Sequence, residues 1–193
     1  MNVPNILTSL RVVFAILLFI IYPLHWYIAC TVMFILAAVT DFLDGWWARK
    51  FQQITVFGRI MDPFADKLLI CGAFIYLAAT PELTTVPETM SYLPSFVMLA
   101  PWMAIVIIGR ELFITSLRAA VERSGGDFSA IWIGKWKMGV QCVAVPTCML
   151  WLAFPQQIWI FWVMIVFVWG TVGITAYSVV DYVVKFIRIS SRG

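Results

Sequence analysis

Four aspartates in the first third of this chain have a spacing that could bind metal ions. Asp41 and Asp44 are three residues apart, and Asp62 and Asp66 are four residues apart. On a helix, positions three or four residues apart share a face. Because a short polar stretch joins the two segments, we expect antiparallel neighbouring helices whose acidic faces meet. A divalent cation such as Mg²⁺, Mn²⁺ or Ca²⁺, rather than zinc, would relieve the repulsion between carboxylates, and four carboxylates could hold two ions.

The composition indicates that these helices lie in a membrane. Of the 193 residues, 63% are hydrophobic and 12% are charged, and the mean hydropathy is +0.94. Soluble domains are about 45–50% apolar and about 25% charged, so a water-soluble domain, a disordered chain and a disulfide scaffold are excluded. A charged residue at membrane depth costs about 2.5–3.5 kcal/mol. Four aspartates at two helix ends therefore need a function.

The sequence predicts an all-α membrane protein with six transmembrane helices in a single domain, residues 1–193. Six apolar runs alternate with breaks rich in proline, glycine or charge. They cover residues 6–22, 26–48, 60–80, 96–121, 131–154 and 158–187. Lysine and arginine fall near the N-terminus, around the 2–3 and 4–5 connections, and at the C-terminus. The positive-inside rule then places both termini and the aspartates on the cytoplasmic side.

Small and basic residues beside the aspartates could help to bind a polar ligand. Gly45 lies one turn after the first aspartate, and Gly58 lies one turn before the third. Glycine inside a helix costs about 0.8–1.0 kcal/mol relative to alanine, so we expect a ligand to approach the backbone closely here. Ala48 continues the same face, and Arg49 could bind phosphate or an acidic partner from the loop edge.

The eight positions together form one pattern. It reads Asp41-x2-Asp44-Gly45-x2-Ala48-Arg49-x8-Gly58-x3-Asp62-x3-Asp66. This pattern resembles the signature of the CDP-alcohol phosphotransferase family at every fixed position. The alternative is that the aspartates only cap helices or form ion pairs with Arg49, Arg59 and Lys67.

The resemblance implies a reaction, a cofactor and a role for each position. Members of that family are membrane homodimers that use Mg²⁺ or Mn²⁺ to transfer a substituted phosphate from a CDP-linked donor to an alcohol, releasing CMP. The implied metal ligands are Asp41, Asp44, Asp62 and Asp66, and Asp66 is also the implied general base for the acceptor hydroxyl. The implied donor-binding positions, on the cytidine side, are Gly45, Ala48, Arg49 and Gly58.

The beginning of the chain carries a second polar pattern, Asn5-x2-Thr8-x2-Arg11. These three residues could face the same pocket, and we assign Asn5 and Thr8 to donor binding. The alternative is a first turn lying in the membrane interface, with Asn5 as a helix cap. Arg11, about two turns into the helix, is the hardest of the three to explain in that way.

Basic residues around the 4–5 connection could bind the phosphate of an anionic acceptor, such as a glycerol or sugar phosphate. They are Arg110, Arg118, Lys135 and Lys137. The alternative is snorkelling cations and local ion pairs, such as Arg118 with Glu122. The sequence blocks around them, Gly109-Arg110-Glu111 and Gly134-Lys135-Trp136-Lys137, resemble those of bacterial family members that make phosphatidylglycerophosphate. Gly109 is a departure, because alanine is expected there.

This second resemblance implies CDP-diacylglycerol as donor and sn-glycerol 3-phosphate as acceptor. It also implies a multi-pass protein of the cytoplasmic membrane, with no nucleic-acid partner. Two alternatives keep the same chemistry with another acceptor, either inositol phosphate or phosphatidylglycerol. An alternative of another class is a cation transporter, because carboxylates inside membranes often mark ion pathways. We find no internal repeat of the kind that transporters often have.

Overall fold

A computed structural model describes residues 3–51, 56–123 and 132–190, and these ranges contain helices and no β-strand. The helices are α1 (Val3–Ile21), α2 (Tyr27–Phe51), α3 (Val56–Ala78), the single turn α4 (Pro81–Thr84), α5 (Pro101–Arg123), α6 (Trp132–Ala153) and α7 (Ile158–Ser190). The six long helices correspond to the six apolar runs, so the predicted all-α class is confirmed. Helix α5, the fourth of the long helices, begins at Pro101. This is later than expected, because 3₁₀ turns and proline-containing loops precede it.

The number of helices able to span a membrane is smaller than the six that the sequence predicts. Within the described ranges, four stretches are long and apolar enough: Asn5–Leu24, Tyr27–Gly45, Ser95–Ala119 and Ile158–Phe186. A fifth is added if Ile60–Ala78 and Pro81–Met90, which are bent by 82°, form one span. Helix α6 is less apolar because its first half contains Lys137 and Gln141.

The six long helices form a closed ring, and α3 also makes smaller contacts with α2 and α6 across it. The order around the ring is α1, α2, α6, α7, α5 and α3. Helices α2 and α3, which carry the aspartates, contact each other far less than each contacts α1. The expectation of two directly paired acidic helices is therefore only partly met, because α1 packs against both of them.

The distribution of polar side chains is inverted relative to that of a soluble protein. Large apolar residues face outward, for example Phe42 and Ile105, which are 71% and 70% exposed. Buried polar or charged side chains include Thr8, Arg11, Asp44, Arg110, Glu111, Lys137, Gln141, Thr175 and Ser178. An apolar exterior suits contact with lipid, and intramembrane polar groups in such proteins face the interior of the bundle.

Helices α1 and α3 approach closely at Gly72. A Cβ atom added there would overlap with Cζ of Phe19, whose ring stacks on that of Tyr76 with a centroid separation of 5.5 Å. Any side chain at position 72 must therefore displace the Phe19 ring. This close contact lies between α1 and α3, less than two turns beyond Asp66 on α3.

We expect Gly72→Ala to lower the free energy of unfolding by about 1–3 kcal/mol, because overpacking breaks the Phe19–Tyr76 stack. The matched control is Gly139→Ala, since a Cβ atom at position 139 meets no atom of the described residues within 4 Å. That control should be neutral, or stabilising by up to about 1 kcal/mol through helix propensity. Thermal unfolding in detergent measures the stability of both variants. If Gly72→Ala and Gly139→Ala have the same Tm, the close approach of α1 and α3 at Gly72 is contradicted.

Candidate active site

Arg11 of α1 lies between the two aspartates of α2. Its Nη1 is 2.7 Å from Oδ1 of Asp41, and its Nη2 donates to Oδ2 of Asp44. The Arg11 side chain is 1% exposed, and those of Asp41 and Asp44 are 30% and 7% exposed. Because water is largely excluded, each partner depends on the other for its charge compensation. The sequence singled out Arg11 as unusual but did not predict this pairing.

The third aspartate, Asp62 of α3, is also held by α1. The Thr8 hydroxyl donates a hydrogen bond of 2.5 Å to Oδ1 of Asp62. Thr8 and Arg11 lie one turn apart on α1, so the carboxylate that Thr8 contacts on α3 lies near those that Arg11 contacts on α2. The structure therefore brings the predicted acidic residues of α2 and α3 to one region, with Thr8 and Arg11 of α1 between them.

The chemistry of this donor set suits a hard divalent cation. All four predicted ligands are carboxylates, and Arg11 balances only part of their negative charge. The positions of these side chains differ from those of a formed metal site. Among the described residues, no three acidic, histidine or cysteine side chains surround a common point. The guanidinium of Arg11 instead occupies the space between Asp41 and Asp44.

A second charged cluster joins α5, α6 and α7. Lys137 donates to Oε1 of Glu111, and Nη1 of Arg110 is 3.5 Å from both carboxylate oxygens of Glu111. Arg110 also donates through Nε to the Ser178 hydroxyl at 2.8 Å, and its Cζ lies 5.4 Å from the centroid of the Tyr182 ring. Two of the predicted phosphate-binding residues are therefore already engaged with protein groups.

One cavity connects the acidic and basic halves of the site. It has a volume of about 400 Å³. Its lining residues are Pro63, Asp66, Lys67, Arg110, Glu111, Ile114, Thr115, Arg118, Met138 and Tyr182. Nε of Arg118 is buried and has no hydrogen-bond partner among the described residues. Asp66, the predicted base, thus faces the same space as two predicted phosphate-binding arginines.

Of the remaining predicted donor-binding and phosphate-binding residues, some have described side chains and others do not. Gly58 is buried and Gly45 is half-buried. Asn5 is half-buried in α1, and its carbonyl oxygen accepts a 2.9 Å hydrogen bond from Ser9. The side chains of Ala48, Arg49 and Lys135 lie outside the described residues.

The structure also adds residues that the sequence reasoning did not assign to the site. Lys67 lines the cavity beside Asp66, and its Nζ donates to the Pro63 carbonyl at 3.3 Å. Glu111 is the shared partner of Arg110 and Lys137. Glu111 could have been predicted from the sequence, because it directly follows Arg110 among basic residues and a buried cation needs an anion nearby.

The aspartates of α2 and α3 and the adjoining cavity lined by arginines form a site whose charges suit a phosphate-bearing ligand. The family model of CDP-alcohol phosphatidyltransferase matches residues 1–177. This match covers most of the chain, and the chain belongs to that family.

Curated relatives are similar to this chain over most of its length. The CDP-diacylglycerol–glycerol-3-phosphate 3-phosphatidyltransferase of Bacillus subtilis is 33% identical over 164 residues, covering 77% of each chain. The enzymes of that name from Shigella flexneri and Escherichia coli K12 are each 33% identical over 187 residues, covering 94% of this chain and 92% of theirs.

We expect Arg11→Met to destabilise the protein by about 3–5 kcal/mol, because it leaves the carboxylates of Asp41 and Asp44 without a cation. Thermal unfolding in detergent with a chelator present measures the loss. Arg11→Lys, which keeps the charge, serves as the matched control and should lose less. If Arg11→Met unfolds at the wild-type temperature, the ion pairs do not stabilise the fold.

Proposed function

We propose that this protein transfers the phosphatidyl group of CDP-diacylglycerol to sn-glycerol 3-phosphate, forming phosphatidylglycerophosphate and CMP. The observation that carries the proposal is the cavity shared by Asp66, Arg110 and Arg118. It joins a carboxylate that can take a proton to cations that can bind a phosphate. The names of the relatives, which cover most of this chain, support the same donor and acceptor.

The acidic half of the site would bind two Mg²⁺ or Mn²⁺ ions through Asp41, Asp44, Asp62 and Asp66. Bound there, the ions would neutralise the pyrophosphate of the donor and stabilise the departing CMP. Carboxylate ligands and an excess of negative charge over Arg11 support this assignment.

Asp66 is the general base of the proposed reaction. It accepts the proton of the sn-1 hydroxyl of glycerol 3-phosphate as that oxygen forms a bond to the phosphatidyl phosphorus. The bond between this phosphorus and the CMP oxygen breaks, and CMP leaves. The position of Asp66 at the border of the acidic and basic halves supports this role.

Arg118 is the principal contact for the acceptor phosphate. Among the proposed binding residues, Lys137 is paired with Glu111, and Arg110 donates to Ser178. Nε of Arg118 is buried and lacks a partner within the described residues, so it can donate to an incoming phosphate. Arg110 and Lys137 would add positive charge to this half of the site, and we assign Lys135 to the same role.

The donor would occupy the side of the site formed by α1, α2 and the start of α3. Its cytidine and pyrophosphate would contact the segment around Gly45, Ala48, Arg49 and Gly58, with Asn5 and Thr8 on α1. Its acyl chains would enter from the surrounding lipid. The Thr8–Asp62 hydrogen bond, which ties this part of α1 to the acidic residues, supports the arrangement.

We further propose six membrane spans in the cytoplasmic membrane, with both termini and the site on the cytoplasmic side, and a homodimer. The placement of lysine and arginine supports the orientation. In this arrangement α6, the fifth long helix in chain order, also spans the membrane, and its Lys137 and Gln141 face the bundle interior rather than lipid.

We expect the purified protein with Mg²⁺ and CDP-diacylglycerol to release CMP when glycerol 3-phosphate is added. Release should be absent with inositol phosphate or phosphatidylglycerol, and a chelator should stop it reversibly. Release only with another acceptor would keep the chemistry and overturn the acceptor. No release with any acceptor from folded protein would favour the cation transporter.

Asp66→Asn is the control for this assay. It preserves the size of the side chain but cannot accept the proton, so CMP release should fall by about 10²–10⁴-fold. Wild-type turnover in this variant would remove Asp66 from the role of base.

We expect Arg118→Ala to raise the KM for glycerol 3-phosphate by about 10–100-fold, because a charge-assisted hydrogen bond to the acceptor phosphate is lost. The KM for CDP-diacylglycerol should stay within about twofold of wild type, since the donor binds elsewhere. Arg118→Lys keeps the charge and should recover part of the loss. An unchanged acceptor KM in Arg118→Ala would place the phosphate somewhere else.

A further inference from the structure

Gln141 is a buried polar residue that the proposed mechanism does not use. It lies on α6, one turn beyond Lys137, and it is 1% exposed. Its Nε2 has no hydrogen-bond partner within the described part of the chain. A buried donor without a partner costs about 1–3 kcal/mol, so such a group needs an explanation.

A small cavity of about 80 Å³ lies beside Gln141. Its polar lining comes from Gln141, Asp66, Lys67, Glu111 and Lys137. Asp66, Lys67 and Glu111 also line the larger cavity that contains Arg118, so the two spaces adjoin. Because one water occupies about 30 Å³, the small cavity has room for a hydroxyl-bearing carbon.

Each of the other charged groups of this small cavity already has a partner or an assigned role. Lys137 donates to Glu111, and Lys67 donates to the Pro63 carbonyl. Asp66 is assigned to the reacting hydroxyl. The amide of Gln141 is therefore the polar group available to a second, neutral part of the acceptor.

We propose that Gln141 binds the sn-2 hydroxyl of glycerol 3-phosphate, the hydroxyl that neither reacts nor carries the phosphate. This inference rests on the proposed function. The sn-2 carbon is bonded to the carbon whose hydroxyl Asp66 deprotonates, and Gln141 and Asp66 line the same small cavity. A hydroxyl both donates and accepts hydrogen bonds, so it can pair with either end of the amide.

This contact would contribute to acceptor selectivity. Arg118 recognises the phosphate, which many metabolites carry, whereas Gln141 recognises a hydroxyl at a fixed distance from it. A site that buries a polar group for one substrate hydroxyl rejects analogues lacking that hydroxyl, because the protein group is then left unpaired. Gln141 is thus a specificity residue of the acceptor cavity.

The test compares two acceptors: glycerol 3-phosphate and 3-hydroxypropyl phosphate, which lacks only the sn-2 hydroxyl. For wild-type protein, CMP release should give a kcat/KM about 3–10-fold higher with glycerol 3-phosphate, the range of one neutral hydrogen bond. In Gln141→Leu this ratio should fall to about one, through a loss confined to glycerol 3-phosphate.

The matched control is Gln157→Leu, because Gln157 is exposed and lies outside the helices, where its Oε1 accepts from Trp159. This variant should keep the wild-type ratio. Gln141→Asn, which shortens the side chain by one methylene, should give an intermediate ratio and serves if the leucine variant does not fold.

Three results would overturn the inference. A wild-type protein that uses both acceptors equally well would show that no group reads the sn-2 hydroxyl. An unchanged preference in a folded Gln141 variant would assign the reading to another residue, and an equal loss with both acceptors would make Gln141 structural. Absence of CMP release with either acceptor from wild-type protein would instead reject the proposed function itself.

Discussion

The ion pairs of Arg11 with Asp41 and Asp44 are the constraint on which the rest of the acidic site depends. A buried guanidinium and two carboxylates fix the register of α1 against α2. The same face of α1 then places Thr8 on Asp62 of α3. One short polar stripe on the first helix thereby holds three helices together at the level where the chemistry is proposed. Farther along the same two helices, α1 and α3 also approach each other closely at Gly72, where Phe19 packs against the glycine.

The site has two halves of opposite charge, and Asp66 belongs to both. On one side are the carboxylates of α2 and α3, and on the other are the cations of α5 and α6. In the low-dielectric interior of the bundle, such a separation would attract a donor with bound metal ions to one half and an anionic acceptor to the other. The reacting atoms would then meet at α3, the helix that contacts α1, α5 and α6.

The sequence predicted the helices well, because long apolar runs have few alternatives to a helix in a membrane. It also predicted which aspartates share a face, since helical periodicity fixes that locally. It did not predict that α1 would pack between α2 and α3, because residue spacing within a helix says nothing about which helix lies opposite. For the same reason the partners of Arg11 and the pairing of Glu111 with Lys137 appeared only in three dimensions. The interior position of Gln141 follows from the ring of helices rather than from any motif.

The pairing between α1 and α2 has a consequence for how the chain enters the membrane. Arg11 and Asp44 are separated by 33 positions, so Arg11 is synthesised before either of its partners. An unpaired arginine within a span costs up to about 2.5–3.5 kcal/mol on insertion scales, the value at the helix centre. Integration of the first two helices as a hairpin lets opposite charges neutralise each other before they meet lipid. The first two helices would then insert into the membrane together, and the ion pairs of the proposed active site would form during insertion.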